Sequence, residues 1–344
     1  MGSANLLQDT LAKQLLELAL KSGAEAAEVY QSRSLSRPVF FEANRLKQIE
    51  TSQAEGTALR LWRDGCPGLT VAYGDVDPQA MVEKSLALSQ LNPPETVELG
   101  THGGHSYPDL GTSVSVEKLI NWGKEAIALI HDVYPDVLCH SDWECDVENT
   151  RLINSKGLDS HYTDTTLSCY MSAEWVRGDD FLSVADGQTQ RYGQPTQSLI
   201  FIENGILRNF YSDRTTGRQL NISSTGNGFR PGLGSYPTPG LFNFLIQPGN
   251  LSLVDLISKM DDGLIVDQML GSCSGLSGDF SINVDLGYRV KNGHIIGRVK
   301  DTMVAGNVYT ALKQVVQLGG DADWNGSCYT PSLIVEGLSI TGKK

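Results

Sequence analysis

The sequence predicts an α+β protein, with an N-terminal α/β domain of helices on a mixed sheet and a β-rich C-terminal domain. Three observations carry this reading. Apolar residues recur at helical spacing in three stretches of the first 135 residues, between segments that read as strands and turns. From Val137 the apolar period drops to two and holds through Trp175, with one turn signal between. After Asp179 the chain is glycine-rich and divided by Asn-Gly pairs. The expected division is residues 1–135 for the N-terminal α/β domain, 136–178 for a long connecting β-hairpin and 179–344 for the C-terminal domain.

The first helix is set by Leu7, Leu11, Leu15 and Leu18, and Gly23 supplies its stop. Ala26–Ser34 and Pro38–Glu42 read as strands. Gly56–Trp62 and Leu69–Tyr73 flank Arg63-Asp64-Gly65, a hairpin turn. Asp77 before Pro78 is an N-cap with proline at the first helical position, and that helix runs to about Gln90. Asn92–Thr112 is rich in Pro, Gly and Thr and reads as a loop. Ser115–His131 is the next helix, with Leu119, Trp122, Ala126 and Leu129 on one face.

In the long hairpin, Val137, Cys139, Ser141, Trp143, Cys145 and Val147 share one face, and His140, Asp142, Glu144 and Asp146 share the other. The return strand aligns Leu167, Cys169, Met171, Ala173 and Trp175, so one face of the hairpin is expected to be buried. Further on, Asn204-Gly205 joins Ser198–Glu203 to Ile206–Tyr211. Ser223–Gly240 is a long Gly/Pro/Ser/Thr loop, and loops of that length are often functional. Ser252 and Asp255 open a short helix that Gly263 ends. Strands follow at Asp285–Lys291 and His294–Val299 around Asn292-Gly293. A helix is expected over Val308–Leu318, and a last strand over Ser332–Ile340.

Composition narrows the function classes. The net charge is −13, from 27 basic and 40 acidic residues, with no cluster of Lys and Arg of the kind that neutralises phosphates. Direct contact with nucleic acid is disfavoured. No apolar run approaches the ~18–20 residues of a membrane span, and Met1–Leu20 lacks the basic and continuously apolar parts of a secretory signal. A cytoplasmic protein without membrane contact is expected. The six cysteines are scattered, which points to reduced thiols.

Zinc peptidases place two His on one helical face with a Glu as base. None of His102, His105, His131, His140, His161 and His294 belongs to an H-E-x-x-H motif or to the form one residue longer. His102 and His105 lack a neighbouring Glu. Cys139, His140, Cys145, His161 and Cys169 resemble a metal cluster, but the strand alternation turns His140 away from Cys139 and Cys145. Gly271-Ser272-Cys273-Ser274-Gly275 imitates a nucleophile elbow, yet another loop follows where an elbow needs a helix. Thr225-Gly226-Asn227-Gly228 lacks the Lys of a phosphate loop. It reads either as a place where another backbone approaches closely or as a tight turn.

Several segments occur in the order found in the TldD/PmbA family. They are Ile202-Glu203-Asn204-Gly205-Ile206-Leu207, Ser224-Thr225-Gly226-Asn227, and Gln247-Pro248-Gly249 ahead of Leu251-Ser252-Leu253. Gly263-Leu264-Ile265-Val266, Leu270-Gly271-Ser272, Ala305-Gly306-Asn307 and Pro331–Leu338 follow, and Ala27-Glu28-Val29-Tyr30 matches in the first half. The chain thus resembles the TldD/PmbA family, and its TldE/PmbA-type, non-catalytic subunit in particular. The resemblance implies a β-rich TldD/PmbA-type C-terminal domain and assembly around an internal cavity. The partner is expected to be a TldD-type catalytic subunit in a heterodimer, or a second copy in a homodimer. Zinc is expected in that partner, on a helix bearing H-E-x-x-x-H, and no cofactor is expected in this chain. A further ligand Cys of the catalytic type falls at Ser327 here, and Cys328 is one step off, which on a strand reverses the side chain.

Members of that family are usually longer, and the shortfall falls around Asp179–Gln197, where the zinc helix lies in the catalytic type. The resemblance therefore implies that zinc, a polarised water and a glutamate base come from the partner. This chain is expected to close the cavity and to hold an unfolded peptide as an added strand. Its expected contacts are Thr225, Gly226, Asn227 and Gly228, with Gly271, Ser272 and Cys273, and it carries no catalytic or metal-ligating residue of its own. A stand-alone peptide-binding or scaffold protein is the second reading. A modulator of DNA gyrase is the third, and the net charge of −13 speaks against it.

Overall fold

The computed structural model describes residues 2–101, 105–107, 111–191 and 198–342, with the backbone alone at 2–9, 105–107, 190–191 and 272–274. It is α+β, and the chain groups into two compact units. The first comprises Met1–Met171, Thr189–Phe201 and Arg208–Leu241; the second comprises Ser172–Gln188, Ile202–Leu207 and Phe242–Lys344.

The first unit opens with helix α1 (Gly2–Lys21), which ends at Gly23 in a left-handed conformation at φ 95°. Strands β1 (Ala26–Ser36), β2 (Val39–Glu42), β3 (Arg45–Ile49), β4 (Ser52–Arg63) and β5 (Cys66–Tyr73) follow. Helix α2 (Pro78–Ser89) starts where the Asp77 carboxylate accepts from the Gln79 and Ala80 amides. After a short strand β6 (His105–Tyr107) come α3 (Val116–Val133) and the long strands β7 (Leu138–Asn154) and β8 (Asp159–Arg177). The sheet order is β3-β2-β7-β1-β4-β5, all antiparallel, and β6 joins β8 in parallel, which makes the sheet mixed.

Strand alternation divides the sheet into two faces. Ala27 and Val29 of β1, Leu59 and Leu61 of β4 and Ile153 of β7 pack with Ala12, Leu15 and Ala19 of α1 and with Met81 and Val82 of α2. Burying a side chain of this size contributes about 1.5–3 kcal/mol, so this layer carries much of the unit's stability. Helix α2 meets β5 closely: a Cβ added at Gly68 would overlap the Ser85 carbonyl oxygen. Helix α3 likewise seats Gly123 against the Phe41 ring of β2. The residues between, Glu28, Tyr30, Arg60 and Trp62, point to the opposite face.

The expected burial of the β7 face is found: Val137, Cys139, Ser141 and Cys145 are buried, while His140, Asp142, Glu144 and Asp146 are not. The return strand differs. Leu167 to Trp175 and the residues between them are similarly half-buried, apart from the exposed Tyr170, so no single face is covered.

Strand β9 (Asp180–Arg191) pairs with β8. The Asn204-Gly205 turn forms as expected, with both residues at positive φ, but its ladder is only β10 (Ile202–Glu203) with β11 (Ile206–Leu207). Helix α4 (Arg214–Leu220) was not apparent from periodicity, being two turns long. The long loop contains one small ladder, β12 (Gly228–Phe229) with β13 (Thr238–Pro239).

In the second unit β14 (Phe244–Leu245) precedes α5 (Leu253–Ser258), whose Ser252 and Asp255 form the expected capping box. Strands β15 (Asp262–Ser274), β16 (Asp279–Lys291), β17 (His294–Arg298) and β18 (Thr302–Asn307) form one sheet around β16, with Leu256, Val284, Leu286, Val290 and Val304 buried in this unit. The helix expected over Val308–Leu318 is corrected. Helix α6 (Val308–Ala311) passes through a 3-10 turn into strand β19 (Val315–Leu318). The β-branched Val315-Val316 pair favours extended backbone, and β22 (Leu333–Val335) supplies the pairing. Between them lie β20 (Asp323–Asn325) and β21 (Cys328–Thr330). The last expected strand is broken at Gly337, φ 75°, and resumes as β23 (Ser339–Gly342) against β18. Asn92–Thr112, expected as loop, contains β6, whose order comes from pairing with Ser160–Tyr162. Among the described residues no helix is long and apolar enough to cross a membrane.

Candidate functional site

The non-helical face of the first unit's sheet carries charge where a core would carry hydrocarbon. Glu28 sits in the middle of it, 8% exposed. Its Oε1 accepts from Arg230 Nη2 at 2.7 Å and lies 3.2 Å from Arg60 Nη2. Aromatic rings complete the enclosure. The Arg60 guanidinium lies 4.6 Å from the Trp62 ring and 4.9 Å from the Tyr236 ring, and Arg230 lies 4.7 Å from the Tyr30 ring. Burial pulls the Arg60 guanidinium below its usual value, and Glu28 pulls it back. Burial also pushes the Tyr30 hydroxyl up to about 12, helped by Tyr162 and Glu148. Arg230, Leu233, Gly234 and Tyr236 come from the long Gly/Pro loop, which lies over β1, β4 and β5: Gly56 faces Leu233, and Gly234 faces Val71.

Beside this lies a compact knot that begins at Ser212, fully buried. The Ser212 amide donates to Thr225 Oγ1 at 2.8 Å, and the Ser212 carbonyl accepts from the Thr225 and Asn227 amides. Thr225 Oγ1 lies 2.7 Å from Asn227 Oδ1, to which it donates, and Asn227 Nδ2 donates to the Gly240 carbonyl at 3.1 Å. Helix α4 grows from the same knot. Asp213 Oδ1 accepts from the Thr216 amide at 2.6 Å, and Asn221 ends the helix in left-handed conformation at φ 54°. Gly217 lets the helix close onto residues 222–224, where a side chain would meet the Ile222 carbonyl at 2.9 Å.

The knot forms one wall of a cleft of about 630 Å³, lined by Val97, Leu99, Lys156, Arg214, Arg218 and Ile222, with Glu98, Thr101 and Ser224 between. Asn154, 4% exposed, holds the other walls in place. Its Oδ1 accepts from the Lys156 and Leu158 amides at 2.9 and 3.2 Å, and its Nδ2 donates to the Gly100 carbonyl at 3.0 Å. The turn bearing Lys156 is thereby tied to the segment bearing Leu99 and Thr101. Arg218 Nη1 donates to Glu98 Oε1 at 2.6 Å.

Of the residues expected to contact peptide, Thr225 and Asn227 spend their side chains inside the knot. Gly226 stands at φ 80° with open space where a Cβ would be, and a Cβ added at Gly228 would stand 3.0 Å from the Asp213 Cβ. What this segment offers outward is backbone, next to the cleft that Ser224 lines. Gly271 belongs to β15 of the second unit, at φ 145°, where a Cβ would meet the Ser281 carbonyl oxygen at 2.9 Å. Ser272 and Cys273 pair through their backbones with Ser281 and Phe280, and their side chains lie outside the described residues. The cleft residues Lys156, Arg214 and Arg218 were not singled out in the sequence. The short helix that carries the two arginines gives too weak a periodic signal.

Among the described residues no group of three or more His, Cys, Asp or Glu is placed to hold a metal ion. Cys328 is exposed, on β21, and Cys139 and Cys145 are buried. Cys145 Sγ accepts from the Val114 amide at 3.3 Å. His102 lies outside the described residues, and His105 is described by its backbone alone.

Comparison with known proteins agrees with this architecture. Residues 185–342 match the family model of the PmbA/TldA metallopeptidase C-terminal domain, and residues 27–89 match that of PmbA/TldA metallopeptidase domain 1, together nearly two thirds of the chain. A metalloprotease TldD homolog of Buchnera aphidicola (from Acyrthosiphon pisum) is 25% identical over 272 residues, 72% of this chain and 54% of that protein. The chain spans about half the length, or less, of the first curated relatives it matches. Among solved structures, TldE from Thermococcus kodakarensis superposes with a TM-score of 0.83 at 17% identity, covering 96% of this chain and 100% of that one. A putative modulator of a DNA gyrase from Thermotoga maritima superposes with a TM-score of 0.81 at 19% identity, covering 97% and 100%.

Proposed function

The chain belongs to the PmbA/TldD metallopeptidase family and has the fold of TldE, and we propose that it is the non-catalytic partner subunit of a zinc-dependent peptidase complex acting on unfolded peptides. The observation that carries this reading is chemical. A zinc peptidase needs paired histidines and a glutamate at helical spacing, and none of the six histidines here stands in that pattern. In the region where the resemblance expects a zinc helix, the described residues Asp180–Arg191 form strand β9. Zinc, the polarised water and the glutamate base therefore come from the partner, and this chain supplies the peptide-facing backbone at Thr225–Gly228 and at Gly271.

The surface supports a partner. In the second unit Met269, Leu270, Ile295 and Ile296 are exposed and Leu276 is 96% exposed. Apolar surface on this scale favours association.

Native mass spectrometry on the chain purified gently from its own cells tests the reading. A complex with a second, heavier subunit carrying one zinc is the expected result. A metal-free monomer or homodimer overturns the accessory role and leaves the stand-alone peptide-binding reading, in which the same cleft and backbone act without a catalytic partner. The gyrase-modulator reading requires binding to DNA that weakens steeply with salt, and a flat salt dependence disposes of it.

A further inference from the structure

The cleft beside α4 is cationic in an acidic protein. Lys156, Arg214 and Arg218 line it against one carboxylate, Glu98, while the whole chain carries −13. Glu98 is committed to Arg218. Among the described residues Lys156 and Arg214 have no ion-pair partner, and the acid nearest in sequence, Asp213, is turned onto the Thr216 amide. Two exposed cations gain little from facing each other across a cleft, so their natural complement is an anion entering it.

The rest of the lining says which anion. Val97, Leu99 and Ile222 give the cleft apolar walls. A bare inorganic anion has nothing to bury against them. A carboxylate attached to an apolar group satisfies both parts, and about 630 Å³ accommodates one or two amino-acid residues. A guanidinium presents a planar fork to a carboxylate, and an ammonium adds a point charge. The walls are held before any ligand arrives, by Asn154 on one side and by the Ser212 knot on the other. Such preorganisation spares a ligand the cost of ordering the site.

We propose that this cleft binds the C-terminal carboxylate of a peptide, with Arg214 and Lys156 on the carboxylate and Val97, Leu99 and Ile222 against the last side chain. The proposal rests on the peptide-handling reading above and adds to it an anchor for one end of the chain. The backbone of Thr225–Gly228 follows directly from Ser224 in the cleft wall, so the same segment that ends the anchor offers the next backbone to a bound chain.

Calorimetric titration of the full chain at low salt tests it, with N-acetyl-leucine as a mimic of a peptide end, N-acetyl-leucinamide as its uncharged counterpart, and inorganic phosphate. The acid is expected to bind about tenfold or more tightly than the amide. Arg214→Ala and Lys156→Ala should each weaken the acid by about that factor without changing the amide, and added salt should weaken the acid alone. Equal binding of acid and amide, unchanged affinity in both variants, or no binding at all overturns the proposal. Phosphate binding as tight as the acid also overturns it, since the cleft would then be a simple anion site. The titration uses this chain by itself. A missing catalytic partner would sink the accessory-subunit reading and leave this result standing, and a null titration would remove the anchor while leaving that reading intact.

Discussion

Arg230 Nη2 donates to Glu28 Oε1 at 2.7 Å, joining residues 202 positions apart and fastening the long Gly/Pro loop to the central strand of the sheet. Both side chains are less than 10% exposed, and Arg60 shares the same carboxylate. Two guanidiniums lean on one Glu, so the partners are not equivalent. Glu28→Ala leaves two buried cations without a counter-charge and is expected to cost about 3–5 kcal/mol. Arg230→Met keeps the Glu28–Arg60 pair, replaces a stacked cation with an apolar stem and is expected to cost about 1–2 kcal/mol. Urea unfolding of the two variants checks the order. Equal losses would mean that Glu28 serves only one of the two arginines.

The contact of α2 with β5 admits no side chain at Gly68. An added Cβ would overlap the Ser85 carbonyl oxygen and stand 2.9 Å from the Ser89 amide nitrogen, and both are backbone atoms that cannot swing aside. Gly68→Ala must lift the helix, and Val82 and Met81 with it, out of the core, at an expected cost of about 3 kcal/mol or more. Gly74→Ala is the useful contrast. Its φ of 73° is strained for alanine, but nothing lies within 4 Å, so about 1 kcal/mol is expected. Thermal unfolding separates the two, and similar losses would contradict close packing at Gly68.

What the sequence made legible was local. The Asp77-Pro78 helix start, the Ser252–Asp255 capping box, the Asn204-Gly205 and Asn292-Gly293 turns and the alternating burial around Cys139 and Cys145 each follow from neighbours a few positions apart, and each is present in the structure. The elements that differ are those fixed by distant partners. Val315–Leu318 is a strand because Leu333–Val335 pairs with it, and His105–Tyr107 is one because Ser160–Tyr162 does. The site divides in the same way. Thr225–Gly228 stood out as a turn-rich segment, but that its side chains turn inward to Ser212 and Gly240 depends on the fold. Lys156, Arg214 and Arg218 come together only through Asn154 and the Ser212 knot. No spacing in the sequence links them.

Strand β7 carries Asp142, Glu144, Asp146 and Glu148 on one face, and burial pushes the Asp146 carboxyl up from its usual range. Ser36 opposes this as a hydrogen-bond donor, while Glu144 and Glu148 add to it, and Asp146 Oδ1 is buried without a partner among the described residues. A raised acid holds its proton more tightly in the folded chain than in the unfolded one. Stability therefore falls as pH rises from the ordinary carboxylate range through the raised value, and the full penalty stands above it. Asp146→Asn should remove that penalty and make the protein more stable at pH 7. The gain should vanish at pH 3. Unfolding midpoints of both proteins across this range check the sign, and a gain larger at low pH would refute it.

Gly226 and Gly271, two of the three glycines expected to face a peptide, make different demands on a test. At Gly271 the backbone at φ 145° and the Ser281 carbonyl at 2.9 Å both exclude a side chain, so Gly271→Ala is expected to disturb the β15–β16 ladder and cost about 2–3 kcal/mol. Any loss of peptide cleavage in that variant would mix folding with contact. At Gly226 the space is empty and only the φ of 80° resists, so Gly226→Ala should cost about 1–2 kcal/mol and leave the fold intact. If a peptide backbone lies against this turn, the added methyl group stands in its path. Cleavage by the assembled complex should then fall about tenfold or more through a raised KM, with kcat nearly unchanged, because the loss is in binding. A Gly226→Ala complex that cleaves with unaltered KM would show that this turn serves the Ser212 knot alone.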